Sequence, residues 1–267
     1  MATLDFDANQ TTWSDKNALG CALAAQLAYK DEATIQATTP GWGFTKSICF
    51  DEAHTHGFAT GNETMVLVAF RGTDPEDLKN WMTDADVEPV GFLGGEVHLG
   101  FLRALRLVWD DMNRAIEALQ TKSQSLWFAG HSLGAALATL ATARLKIERG
   151  TPVNGLYTFG SPRVGDDDFA MAFNQNLEGQ TFRYVNNADV VTRVPNRIPF
   201  GYRDVGTFLF FDAAGKIKAD VHWWNKFLNT VTGSIDDLLS GKVAPLDNHF
   251  IANYIRNATK NLGVDPF

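Results

Sequence analysis

One serine of this sequence lies where it could serve as a nucleophile. Ser132 is the central residue of the pentapeptide 130–134, Gly-His-Ser-Leu-Gly. Gly-x-Ser-x-Gly alone also occurs in ordinary turns, and a helix-capping serine is the alternative. Here the apolar stretch 126–129 precedes it directly and a helical pattern follows from Ala135, which is the strand, turn and helix order of a nucleophile elbow. We expect the Ser132 hydroxyl at the carboxyl end of a sheet, beside the free N–H groups of a helix start.

A nucleophilic serine needs a histidine to take its proton and a carboxylate to hold that histidine in one tautomer. In strand-turn-helix hydrolases the chain order is serine, acid, histidine, and only His222 and His249 follow Ser132. His249 follows a predicted loop near the end of the chain, so we predict that it is the base. His222 stands in Val-His-Trp-Trp, which favours a surface or aromatic-packing role.

The predicted acid is Asp189. It follows a predicted strand at 182–185 by a short turn, and functional groups in α/β sheets lie past the carboxyl ends of parallel strands. Asp204 and Asp166 are the alternatives, but Asp204 falls within a predicted strand and Asp166 has the position of a helix cap.

Hydrolysis also needs N–H donors for a developing oxyanion. The residue after the nucleophile, Leu133, supplies one, and the loop after the predicted strand at 65–70 brings up Thr73, whose N–H and hydroxyl are candidate donors. Arg71 in the same loop is expected to form a bracing ion pair. His131 and His98 are candidates for lining the pocket, with packing as the favoured alternative.

Two periodicities alternate along the chain and predict the elements that position these residues. Strand-length apolar clusters occur at 65–70, 126–129, 156–159 and 182–185, and helical patterns occur from Ser14 past Leu27, at 102–119 and at 135–147. This alternation predicts one α/β domain over residues 1–267 with a mostly parallel sheet. The segment 202–216 predicts a late hairpin at one sheet edge.

Composition narrows the function classes further. The formal charge of -8, without a basic cluster, disfavours nucleic acid as a partner. No apolar run approaches the roughly 20 residues that cross a bilayer, so we expect peripheral lipid contact only. Cys21 and Cys49 are expected to be free, buried thiols, and no signal peptide is visible. The sequence gives no indication of an oligomeric state.

The order of four sequence blocks resembles the class 3, fungal-type triacylglycerol lipases. These blocks are Ala-Phe-Arg-Gly-Thr at 69–73, Val-His-Leu-Gly-Phe at 97–101, the pentapeptide 130–134, and Thr-Phe-Gly-Ser-Pro-Arg-Val-Gly at 158–165. The resemblance implies an α/β-hydrolase fold, the triad Ser132, Asp189 and His249, and Thr73 in the oxyanion hole. It also implies a lipid ester substrate at an oil–water interface, with chemistry that needs neither a metal nor an organic cofactor.

The resemblance further implies a short helical lid at about 74–86. Asp74 and Pro75 suit a helix start, and three apolar side chains that share one face would shield the pocket in water and touch lipid when open: Leu78, Trp81 and Met82. An ordinary amphipathic surface helix is the alternative.

Other functional interpretations of the sequence stay open at this point. A feruloyl esterase, a phospholipase A1 or an acyltransferase would use the same groups, and a hydrolase fold that only binds would use none of them. Because the chain has at most one disulfide, unlike the secreted fungal members, we expect a bacterial-type relative, either secreted or cytoplasmic.

Overall fold

A computed structural model describes residues 4–74, 88–195, 201–219 and 246–266. Within them, eight strands form one sheet in the order β1-β2-β3-β6-β7-β8-β9-β10. Two further strands, β4 (Pro89–Phe92) and β5 (Gly95–His98), form a separate antiparallel hairpin. The strands of the main sheet are β1 (Lys46–Glu52), β2 (Thr55–Gly61), β3 (Met65–Phe70), β6 (Ser125–His131), β7 (Gly155–Phe159), β8 (Thr181–Asn186), β9 (Thr207–Phe211) and β10 (Ile217–Lys218).

The centre of the sheet is parallel and its edges are antiparallel. Strands β3, β6, β7, β8 and β9 run parallel, whereas β1 and β2 at one edge and β10 at the other are antiparallel to their neighbours. The mostly parallel sheet is confirmed, and so is a late hairpin at the edge, formed by β9 and β10.

Helices cover both faces of the sheet, and short turns extend some of them. The helices are α1 (Asp15–Leu27), α2 (Glu32–Thr38), α3 (Leu99–Leu119), α4 (Leu133–Ala143), α5 (Asp167–Leu177) and α6 (Ile251–Lys260). The 3-10 turns are Thr39–Trp42, Glu178–Gln180, Val191–Arg193 and Leu246–His249, and a π-helical turn, Arg144–Glu148, follows α4. Among the described helices, none has both the length and the apolarity to cross a bilayer.

Strand β3 shows why its sequence is apolar at every position. Val66, Val68 and Phe70 point into the core under α3, α4 and α5, while Leu67 and Ala69 point into the core under α1 and α6. A parallel strand covered on both faces has no polar side, which is why the unbroken apolar run predicted it correctly.

Two predicted helix caps are present. The Ser14 side chain accepts a hydrogen bond from the N–H of Asn17 at the start of α1, and Asp166 accepts one from Phe169 at the start of α5. Each cap satisfies one otherwise unpaired donor and is worth about 1 kcal/mol. Asp166 is therefore occupied as a cap.

Two sequence expectations were wrong or incomplete. Asp204 does not lie in a strand, because β9 begins only at Thr207; it lies beside Arg163 and Arg183 as their ion-pair partner. Cys21 and Cys49 are both free, but Cys49 is half-buried rather than buried. Burial first, and then the carboxylates of Glu32 and Asp51, raise the pKa of the Cys49 thiol to about 11.

Candidate active site

The turn between β6 and α4 is a sharp elbow centred on Ser132. Ser132 has φ 57° and ψ -130°, a left-handed conformation that is costly for any residue with a Cβ. A Cβ at Gly130 would collide with the backbone of Gly134, and one at Gly134 would collide with the carbonyl of Phe70. The glycines at 130 and 134 are therefore required by close backbone contacts.

His249 and Asp189 form a buried pair. His249 ends the 3-10 turn before α6, and its Nδ1 lies 2.9 Å from Oδ2 and 3.1 Å from Oδ1 of Asp189. The relative exposure of the two residues is 3% and 1%. Because a carboxylate only accepts hydrogen bonds, the proton of His249 lies on Nδ1 and Nε2 is left as a base.

The carboxylate of Asp189 is held by two further donors. The Tyr254 hydroxyl donates to Oδ2 at 2.5 Å, and the backbone N–H of Val191 donates to Oδ1 at 3.0 Å. Burial opposes the ionisation of Asp189, but His249, Tyr254 and the more distant His131 outweigh it, so the pKa of Asp189 lies below its ordinary value. Asp189 is thus suited to remain a carboxylate.

Backbone contacts bring the elbow and the Asp189–His249 pair to the same end of the sheet. The N–H of Ser132 donates to the carbonyl of Phe159 at 3.0 Å. A Cβ at the next residue, Gly160, would lie 2.9 Å from both Asp189 Oδ2 and His249 Nδ1. Ser132 Oγ and His249 Nε2 are both buried and have no hydrogen-bond partner among the described residues. The two atoms that a proton transfer would join are therefore both available.

The candidate oxyanion donors flank the elbow. Leu133 is the first residue of α4, where the helix supplies no partner for backbone N–H groups. Thr73 is half-buried in the loop after β3. This loop packs against the elbow, since a Cβ added at Gly134 would lie 2.8 Å from the backbone of Arg71. The Arg71 guanidinium pairs with the Asp74 carboxylate, which is the bracing ion pair expected of it.

Both pocket-lining candidates with imidazole rings are buried in packed positions. The His98 Nδ1 accepts a hydrogen bond from the N–H of Gly100 at the start of α3, and its ring stacks on Phe101 at 4.3 Å. His131 bonds to Tyr29 and to the carbonyl of His249. These contacts favour the packing alternative for His98 and place His131 beside the base. The remaining candidates lie outside the described residues: Leu78, Trp81, Met82 and His222.

Sequence reasoning missed the groups that hold the acid and the base in place. The side-chain N–H of Asn186 donates to the carbonyl of Asn248 at 2.8 Å, which ties the end of β8 to the turn that carries His249. Tyr254 and Tyr29 were not singled out either. A tyrosine five residues after the predicted base was the only available signal, and periodicity cannot show where its hydroxyl lies.

Comparisons with known proteins find similarity to lipases. A family model described as Lipase (class 3) matches residues 67–198. Over 262 residues the chain is 28% identical to triacylglycerol lipase OBL1 of Ricinus communis, covering 72% of this chain and 49% of that protein. It is 37% identical over 152 residues to secreted mono- and diacylglycerol lipase 1 of Fusarium solani, covering 55% and 44%. The chain thus spans about half the length of these curated relatives.

A solved structure supports the fold assignment. One described as "an unusual buried polar cluster in a family of fungal lipases" superimposes with a TM-score of 0.61 at 28% identity, covering 72% of this chain and 76% of that chain. The α/β-hydrolase fold is confirmed. The two relatives named above come from a plant and a fungus, so the expectation of a bacterial-type relative finds no support in them.

Proposed function

We propose that this chain, whose residues 67–198 match the class 3 lipase family model, hydrolyses carboxylic esters of lipids through an acyl-enzyme on Ser132. In this proposal His249 is the general base, Asp189 orients it, and the N–H groups of Leu133 and Thr73 bind the oxyanion. The single observation that carries the proposal is the buried His249–Asp189 pair, because neither His249 Nε2 nor the Ser132 hydroxyl has a hydrogen-bond partner within the part of the chain that the structure describes.

The proposed reaction has two halves. In acylation, His249 Nε2 takes the proton of Ser132 Oγ as the oxygen attacks the ester carbonyl carbon, and the new imidazolium gives that proton to the leaving alcohol. In deacylation, His249 takes a proton from a water molecule as the water oxygen attacks the acyl carbon, and the imidazolium then returns that proton to Ser132 Oγ as the bond between Oγ and the acyl carbon breaks and the fatty acid leaves. Asp189 stabilises the imidazolium in both halves without taking its proton.

For the substrate, we favour triacylglycerol. The relative from Ricinus communis is named a triacylglycerol lipase and the relative from Fusarium solani a mono- and diacylglycerol lipase, so partial glycerides are the nearest alternative. The segment at about 74–86 is proposed as a lid on its sequence pattern. Export is proposed because the second relative is named as secreted.

Active-site labelling followed by a substrate panel tests this proposal. A long-chain organophosphonate should modify the wild-type protein on the peptide that contains Ser132 and should leave Ser132→Ala unmodified. Rates of hydrolysis of tri-, di- and monoacylglycerols, a phospholipid and a feruloyl ester then rank the substrates. Modification of another residue, or no modification of a folded protein, would refute the assignment of Ser132.

A further inference from the structure

His131, the residue before the elbow serine, connects two segments of the site. Its Nδ1 lies 2.7 Å from the Tyr29 hydroxyl, and its Nε2 lies 2.6 Å from the backbone carbonyl of His249. The His131 ring also lies against the His249 ring, with 4.5 Å between centroids. A role in packing alone requires neither of these hydrogen bonds.

The partners of His131 determine where its proton lies. The carbonyl of His249 can only accept, so His131 Nε2 carries the hydrogen and Nδ1 is left as an acceptor for the Tyr29 hydroxyl. Burial and then the neighbouring His249 lower the pKa of His131 to about 3. Burial and then the charge of Asp74 raise the pKa of Tyr29 above its ordinary value, so its hydroxyl keeps the proton that it donates.

The other end of this arrangement reaches the oxyanion loop. A Cβ added at Gly72 would collide with the Tyr29 hydroxyl and with the carbonyl of His131, so the loop backbone rests on both. Gly72 directly precedes Thr73, the candidate oxyanion donor. One buried chain of contacts therefore runs from the oxyanion loop through Tyr29 and His131 to the main chain of the base.

We propose that His131 is a positioning residue that, together with Tyr29, fixes the backbone of His249 relative to the elbow and the oxyanion loop. This inference rests on the proposed function, because it assigns a role in orienting a base. Among the described residues, His131 makes no hydrogen bond to Ser132 Oγ or to His249 Nε2. Its effect reaches the reaction through the orientation of His249, and misplacement of a reacting group by about 1 Å can cost on the order of a hundredfold in rate.

Substitutions at position 131 separate positioning from packing. In His131→Gln the amide N–H reaches the place of Nε2 and can still donate to the His249 carbonyl, whereas His131→Phe fills the space without a donor. On a soluble short-chain ester we expect kcat to fall by about tenfold to a hundredfold in His131→Phe, with KM within about twofold, and His131→Gln to recover most of that loss. Equal kcat values for the two variants, or a His131→Phe kcat within about twofold of wild type, would overturn the proposal.

A matched pair of tyrosine variants tests the other link. Tyr29→Phe removes a hydroxyl bonded to a ring nitrogen at 2.7 Å, and Tyr184→Phe removes a buried hydroxyl bonded to the Trp13 ring nitrogen at the same distance. We expect Tyr29→Phe to lower kcat several-fold at unchanged KM, and Tyr184→Phe to keep wild-type kinetics. Equal kinetics in the two variants would contradict the role of Tyr29.

A spectroscopic readout is independent of turnover. In nitrogen-15 histidine spectra, His131 should show a protonated Nε2 and an unprotonated Nδ1, unchanged between about pH 5 and 8. A titrating ring, or a proton on Nδ1, would overturn the inference. If the wild-type protein is not labelled on Ser132, the proposed function fails instead, and the spectrum distinguishes the two failures.

Discussion

The Tyr254 hydroxyl donates a 2.5 Å hydrogen bond to Oδ2 of Asp189, the same oxygen that lies 2.9 Å from His249 Nδ1. The same hydroxyl accepts a hydrogen bond from the N–H of Asn186 at the end of β8. Tyr254 belongs to α6, which follows the turn that carries His249. One hydroxyl thus ties the segment of the base to the strand that presents the acid.

Replacement of Asp189 by asparagine tests the role of the acid. The asparagine carbonyl can still accept from Tyr254, but its amide N–H₂ would face His249 and favour the tautomer whose Nε2 carries a proton. We expect kcat to fall by up to about 10⁴ while the fold is kept. Kinetics on a soluble ester and circular dichroism provide the measurement. Asp166→Asn is the control, because asparagine also caps a helix well, and a loss in Asp189→Asn no larger than in this control would point to another acid.

The close contacts around Gly160 predict that a side chain at this position lowers the activity. Gly160 has φ +61°, and its missing Cβ leaves room for Asp189 and His249. In Gly160→Ala the methyl group would push the pair apart and the left-handed backbone would cost about 1–2 kcal/mol. We expect activity to fall by about a hundredfold or more and the Tm to fall by a few degrees. Gly179→Ala should match wild type in both assays, because no described residue other than its chain neighbours has an atom within 4 Å of the added carbon. Wild-type activity in Gly160→Ala would show that the pair is not needed in this arrangement.

The lid hypothesis predicts interfacial activation. The apolar face of Leu78, Trp81 and Met82 would contact lipid, so the rate on tributyrin should rise steeply once the substrate passes its solubility limit. Trp81→Ser should weaken this rise. Leu107→Ser, at a position of α3 that is 49% exposed, controls for the loss of a surface apolar side chain. A smooth rate curve through the solubility limit in the wild type would contradict the hypothesis.

The stability of the protein should depend on pH through His131. In the unfolded chain this histidine takes up a proton near its ordinary pKa of 6.5, but the folded site excludes that proton down to about pH 3. The unfolded state therefore binds more protons in this window, and the wild type loses stability as the pH falls below about 6.5. His131→Gln lacks this contribution, so its free energy of unfolding should fall less steeply from pH 7 to pH 4. Urea unfolding at several pH values measures the difference, and parallel curves for the two proteins would contradict it.

The parts of the fold that are coded locally were predicted from the sequence, whereas those that depend on distant contacts were not. Strand β3 was predicted to the residue because Met65–Phe70 is apolar throughout and covered on both faces. Strand β2 was missed because Thr55–Gly61 has two glycines, two threonines and a histidine, yet is mostly buried by its neighbours. Ser132 stood out through its flanking strand and helix. The hydrogen bond of Tyr254 could not be predicted, because its partner, Asp189, is 65 residues away in the chain.

At Ser132 the left-handed backbone serves the reaction but lowers the stability of the fold. Glycine adopts this backbone conformation without strain. Ser132→Gly should therefore raise the free energy of unfolding by about 1–2 kcal/mol while removing the nucleophile. In descendants whose activity is no longer under selection, replacement of Ser132 by glycine should be an early change. A serine kept here in distant descendants would then be a sign that the reaction is still under selection.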